Sequence, residues 1–176
     1  LIPNILKTGE LYRVLQSLLR ERVPIRDLET ILETVGDWIG RTKDTDILTE
    51  YARNALARTI CHQYRGEDGK IICVTLDPSL EELINARVER TDRGASLTMP
   101  PDVQNKIIAA IREQFDQVAS SMPGRTAVIL CSPQVRMWVR RLIEPTLPRI
   151  AVLAYNEIVR GVEVEAKGMV TLTNEA

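Results

Sequence analysis

The sequence is poor in aromatic side chains: one Phe, two Trp and four Tyr among 176 residues. So few π-faces argue against a base-stacking surface for single-stranded nucleic acid. A net charge of -1 gives no overall attraction to phosphate backbones, so only local basic patches remain possible. There is one histidine, His62, and no nucleophile is placed to use it, which argues against a serine- or cysteine-type triad. A zinc site needs about four clustered Cys, His or acidic ligands, and Cys61–His62 supplies two. The cysteines Cys61, Cys73 and Cys131 are odd in number, widely spaced and free of any C-x-x-C pair. They read as buried thiols in a reducing, cytosolic setting. No apolar run approaches the roughly 18 residues that would cross a bilayer, and no basic n-region precedes an apolar core as in a signal peptide. Neither G-x-x-x-x-G-K-[ST] nor G-x-G-x-x-G occurs, so no recognisable loop cradles phosphate. No cofactor is expected. Residue 1 is Leu, as expected of a piece of something longer.

What is present is patterned hydrophobicity, 44% of the chain. After an incoming linker, Leu1–Lys7, a first helix is expected over 9–22 with Thr8 as cap. Leu11, Val14, Leu15, Leu18 and Leu19 form its stripe. Val23-Pro24-Ile25 must be extended. Asp27 then caps a helix over 28–39 with the stripe Leu28, Ile31, Leu32, Val35 and Trp38, and Gly40 is a natural stop. A polar loop, Arg41–Thr45, leads to a third helix capped by Asp46. There Leu48, Ala52, Ala55, Leu56 and Ile60 share a face, with Glu50, Arg53, Asn54 and Arg58 mostly off it. Such stripes must pack on one another, which gives a helical domain over about 8–65.

The pattern changes at the turn Asp68-Gly69. Lys70–Leu76 and Thr126–Cys131 are mostly apolar, β-branched runs that read as buried strands, and Ile150–Tyr155 reads as a third. Between them lie helices. One opens at Asp77-Pro78 with the stripe Leu80, Leu83, Ile84 and Val88. A longer one opens at Pro100-Pro101 and is broken by Pro123-Gly124. A third opens at Ser132-Pro133, with Ser132 as cap, and runs to Ile143. Arg90–Thr98 reads as a loop. Val162, Val164 and Ala166 alternate with charges, as in a half-wet edge strand that Gly168 could bulge. The fold class is therefore α then α/β, a helical part followed by a sheet of about four strands packed by helices.

Chemistry is sparse. Cys131-Ser132-Pro133 sits where a nucleophile elbow could form, but Leu130 and Gln134 are too large for one, and a helix cap is the better reading. Glu81-Glu82 and Glu163/Glu165 are carboxylate pairs, of which Glu81 and Glu82 point apart on a helix and read as solvated. Trp38 and Trp138 read as core residues within helical stripes. Arg136 and Arg140 share a helix face with spacing i, i+4, and Arg141 follows; a solvated face is the default reading, and these could also meet an acidic partner.

Several segments together carry a family resemblance. They are Leu15-Gln-Ser-Leu-Leu-Arg-Glu-Arg-Val-Pro-Ile-Arg-Asp-Leu28, Thr30-Ile-Leu-Glu-Thr34, Lys43-Asp44 with Leu48-Thr-Glu-Tyr-Ala-Arg53, and Ala57-Arg58. Further on come Val74-Thr-Leu-Asp-Pro-Ser-Leu-Glu81, Leu130-Cys-Ser-Pro133 and Val152-Leu-Ala-Tyr-Asn-Glu-Ile158. The chain resembles the C-terminal cytoplasmic part of the flagellar type III secretion export gate (the FlhA type), and the injectisome gate is similar. The resemblance implies that residues 1–75 are the third, helical cytoplasmic subdomain and 76–176 the fourth, α/β one, with membrane spans upstream. It implies a non-catalytic protein at the cytoplasmic face of the bacterial inner membrane. It implies partners: other gate subunits in a nonameric ring, export chaperone–substrate complexes and the export ATPase stalk. The family's best-known chaperone site lies in the first two subdomains, so none of its residues carries over. Arg20, Arg26, Asp27, Glu50 and Arg53 are the expected ring contacts, with an internal ion pair or a helix cap as the equal alternative for each, and Arg136, Arg140 and Arg141 are the expected partner surface. The alternatives are the gate of a virulence-type injectisome and, more remotely, a helix-turn-helix nucleic-acid module.

Overall fold

The computed structural model describes residues 6–172; most of the expected linker, residues 1–5, lies outside them. Two compact units divide between Gln63 and Tyr64. The division falls ahead of the first strand, whereas the resemblance placed a boundary at 75/76.

The first unit holds α1 (Thr8–Arg20), α2 (Leu28–Trp38), α3 (Thr45–Ala55) and all but the last residue of α4 (Ala57–Tyr64). α1 and α2 each pack on α3. Val14, Leu18, Ile31, Val35, Leu48, Ala52 and Ile60 are buried, each drawn from an expected stripe. α1 starts one residue early, with Lys7 N–H donating to the Glu10 carboxylate at 3.0 Å. Asp27 caps α2 by accepting from Thr30 N–H at 3.1 Å.

α3 departs from expectation twice. Asp44, not Asp46, is its cap, accepting from Asp46 N–H at 2.9 Å, so Asp46 lies within the first turn. The helix also ends at Ala55 and restarts as α4. At 100° per residue, Cys61 in a straight helix would lie on the side away from Leu48. The break at Leu56 (φ -92, ψ 13) instead lets Leu56, Ala57, Ile60 and Cys61 all be buried, while Ala55 is exposed.

The second unit is built on β1 (Lys70–Leu76), β4 (Ala127–Cys131), β5 (Val152–Ala154) and β6 (Glu163–Val170) in the order β5-β4-β1-β6, every pair parallel. The chain steps outward from β1 to β4 to β5, then returns to the far side of β1. Ile72, Val74, Ile129 and Cys131 share one core with α5 (Pro78–Ala86), α6 (Pro101–Ser121) and α7 (Pro133–Ile143). Ile71, Cys73, Val128 and Leu130 alternate with them and are also buried, which explains the continuous apolar runs of the central strands.

The expected loop Arg90–Thr98 is a hairpin, β2 (Val88–Thr91) with β3 (Gly94–Leu97). Val88 belongs to it rather than to α5. The half-buried Val88, Ala95 and Leu97 pack on the core, so their alternation was a strand signal hidden among charges. β5 is shorter than expected and runs into a 3-10 turn, Tyr155–Glu157. β6 does lie at an edge. Its register shift opposite Cys73/Val74 leaves Lys167 unmatched, one residue before the expected bulge at Gly168. Val164 is exposed and Val170 is the strand's buried residue.

Candidate interaction surfaces

The three arginines of α7 do not form a common surface. Arg136 is 0% and Arg140 6% exposed, which overturns the expectation that either meets a partner. Arg136 Nη1 donates to the Val152 carbonyl at 3.0 Å, and its Nε lies 3.9 Å from Glu157 Oε1. That same Oε1 accepts from Ala154 N–H at 2.8 Å. Arg140 Nη1 donates to the carbonyls of Pro148 and Ile150 at 3.2 and 3.4 Å. The pair thus ties α7 to β5, its incoming segment and its outgoing turn. Arg141 alone of the three is exposed, with its guanidinium 5.1 Å from the centre of the buried Trp138 ring. A signal was present: Val135, Trp138, Val139, Leu142 and Ile143 fill nearly half the helix circumference, and Arg136 and Arg140 border that arc beside Ile143.

In the first unit the polar candidates divide. Arg53 is 2% exposed and its Nη1 meets Glu21 Oε2 at 3.0 Å, so it is an internal ion pair rather than a contact residue. Asp27 is exposed, and its carboxyl also accepts from the Thr30 hydroxyl at 2.7 Å; these Thr30 hydrogen bonds hold it below the usual carboxylate range. Glu50 is half-buried, while Arg20 and Arg26 are exposed. Trp38 is half-buried rather than core: it stacks on Tyr51 at 3.8 Å, and Arg41 lies 4.9 Å from its centre.

The strand-to-helix turn after β4 carries no activated nucleophile. Cys131 is buried with Sγ 3.9 Å from the Leu153 carbonyl, and the Ser132 side chain makes no capping bond. Ser132 N–H instead donates to Glu81 Oε1 at 3.0 Å, so Glu81 is not a free solvated carboxylate and fills the anion position at the helix start. Tyr155 nearby has its phenol pushed up by burial and then by the charge of Glu81. Burial likewise pushes the Cys73 thiol up to about 11, leaving it a poor nucleophile. At the β6 edge Glu165 is paired with Lys167 at 2.7 Å. Among the described residues no three His, Cys, Asp or Glu could hold a metal, and no helix is long and apolar enough to cross a membrane.

What the sequence reasoning missed is apolar. Tyr12 is 63% and Leu19 53% exposed. Separated by seven residues on α1, they share an exposed face, although Leu19 belongs to the stripe expected to face inward. Leu28, at the start of α2, is also exposed.

The FHIPEP family profile matches residues 1–163. The flagellar biosynthesis protein FlhA of Bacillus subtilis (strain 168) is 40% identical over 170 residues, covering 97% of this chain and 25% of that protein. The Chlamydia pneumoniae CdsV protein superposes with a TM-score of 0.87 at 32% identity, covering 97% of this chain and 48% of that one; a second structure of it is a complex with CdsO. Nonameric EPEC SctV-C superposes with a TM-score of 0.82 at 30% identity, over 94% of this chain and 49% of that one. The chain therefore spans about a quarter of the length of the curated relatives it matches.

Proposed function

The chain belongs to the FHIPEP family, and from that premise we propose that it is a non-catalytic cytoplasmic portion of a type III secretion export gate that assembles as a ring and docks other secretion components. The observation that carries this reading is the fit to nonameric SctV-C over 94% of the chain. The flagellar form is favoured because FlhA of Bacillus subtilis shares 40% identity, against 34% for a hypersensitivity-response secretion homologue of Ralstonia nicotianae. Residues 1–75 and 76–176 would be the third and fourth cytoplasmic subdomains, held at the cytoplasmic face of the inner membrane by spans upstream.

The ring face we assign to α1 and the start of α2. Tyr12 and Leu19 present apolar surface beside the exposed Arg20, and Arg26, Asp27 and Leu28 follow in the chain. A second copy of the chain is the occupant, in keeping with the nonameric relative. A stable interface buries about 1,200–2,000 Å², more than these few side chains supply. Ring closure and membrane tethering would make up the rest by raising effective concentration. Export chaperone–substrate complexes and the ATPase stalk are the proposed docking partners. The CdsV complex with CdsO is the precedent for a second component, and Arg141 is the candidate on this chain.

The test is made in the full-length protein. Tyr12→Asp with Leu19→Asp is expected to abolish ring assembly seen by electron microscopy and to abolish secretion, while the isolated chain keeps its melting temperature. Rings and secretion at the parental level in that variant would refute the assignment of the ring face.

A further inference from the structure

Arg65–Gly69, the residues between α4 and β1, form a connector at the start of the second unit. This short connector contains a tight turn: Gly69 N–H donates to the Gly66 carbonyl and Gly66 N–H to the Lys70 carbonyl, both at 3.0 Å. Lys70 N–H donates to Asp68 Oδ1 at 3.1 Å. Arg125, more than fifty positions along the chain, closes over it. Its Nη1 meets Asp68 Oδ2 at 3.0 Å, while its Nη2 meets Asp68 Oδ1 at 3.3 Å and the Lys70 carbonyl at 3.2 Å. The guanidinium also lies flat against Gly66: a Cβ added there would be 2.7 Å from the guanidinium carbon. Gly66 thus leaves room for the fork.

We propose that Arg125 is a latch which makes the connector part of the second unit, and that releasing it turns residues 65–69 into a loose tether without unfolding that unit. Geometry favours a latch over an ordinary surface ion pair. A single exposed pair contributes little, but a bidentate fork with a third bond to backbone fixes the planar group in one orientation. The sheet does not depend on it, because β1 is held by β4 and β6 through its own ladder.

Hydrogen exchange and limited trypsin digestion of the whole chain test this. In Arg125→Ala, exchange of the 65–70 segment is expected to rise about tenfold, with faster cleavage after the exposed Arg65. Exchange in 127–131 and 152–154 should stay at the parental rate. Gly66→Ala removes no charge and no hydrogen-bonding group; its methyl displaces the fork and should give the same local increase. Arg125→Lys keeps the charge without the fork and should fall between. Unchanged exchange at 65–70 in both Arg125→Ala and Gly66→Ala would overturn the latch. So would an increase spread evenly over β1, β4 and β6, which would make Arg125 a general support of the sheet.

Discussion

Each unit buries arginine, and each does so for a different reason. In the helical unit most backbone carbonyls are engaged by i to i−4 bonds, and the buried Arg53 meets the carboxylate of Glu21. In the α/β unit β5 is three residues long and lies at a sheet edge. Its carbonyls and those of the segment entering it have one neighbouring strand to pair with. Arg136 and Arg140 supply donors to Val152, Pro148 and Ile150, so guanidinium groups finish the ladder that a missing strand leaves open. The comparison teaches that an arginine on an amphipathic helix is as readily a piece of secondary structure as a docking residue. What decides is whether an under-bonded edge lies beneath it.

Breaking the α/β side of this comparison should have the largest effect. Arg136→Leu strips a donor from Val152 and removes the cation beside the buried Glu157, an expected loss of about 3–5 kcal/mol in denaturant unfolding. Adding Glu157→Gln should restore part of it, because the stranded charge is then gone. Arg141→Ala, on the same helix but exposed, should move stability by less than about 0.5 kcal/mol. Equal losses for Arg136 and Arg141 would contradict the edge-completion account. On the helical side, Arg53→Leu should cost less, about 1–3 kcal/mol, since Glu21 keeps partial contact with water and can be rehydrated. A cost above that of Arg136→Leu would reverse the comparison.

The two units were unequally legible. The strands of the second unit could be read closely because runs such as Ile71–Val74 and Val128–Cys131 are apolar at every position, and only burial on both faces suits that. Helix stripes told which face is inward for Val14, Leu18, Ile31 and Val35. They did not tell that Leu19 and Leu28 stay outside, because a stripe says nothing of how wide a neighbour covers it. The arginine roles were hidden for a related reason. Charge type is visible in a sequence, but the open carbonyls of β5 follow from strand order and strand length, which depend on long-range pairing. The α3–α4 break was likewise invisible, since the apolar positions of Leu48–Ile60 suit one straight helix until Cys61 must also be buried.

A smaller effect separates local from long-range control in the helical unit. Asp44 accepts from Asp46 N–H and Ile47 N–H, so Asp44→Ala should lower stability by about 1 kcal/mol. Asp46→Ala, at the position first expected to cap α3, should cost less. If Asp46→Ala proved the more damaging of the two in thermal unfolding, the start of α3 would be misassigned.

The smallest effect runs in the opposite direction. α1 ends in a Schellman turn: Val23 N–H donates to the Leu18 carbonyl and Arg22 N–H to the Leu19 carbonyl, both at 2.9 Å, and Leu18 and Val23 are both buried. The residue at the left-handed position of such a turn is usually Gly, yet here it is Arg22, with φ 59. A side chain there costs about 1 kcal/mol relative to glycine, partly offset by the greater freedom glycine has in the unfolded chain. Arg22→Gly should therefore stabilise the protein by about 0.5 kcal/mol and raise its melting temperature slightly, whereas Arg22→Val should lower it. The Gln63 side chain donates to the Arg22 carbonyl at 2.9 Å, a bond that does not involve the replaced side chain. A lower melting temperature for Arg22→Gly would mean that the arginine side chain itself contributes more to the helical unit than its backbone conformation costs.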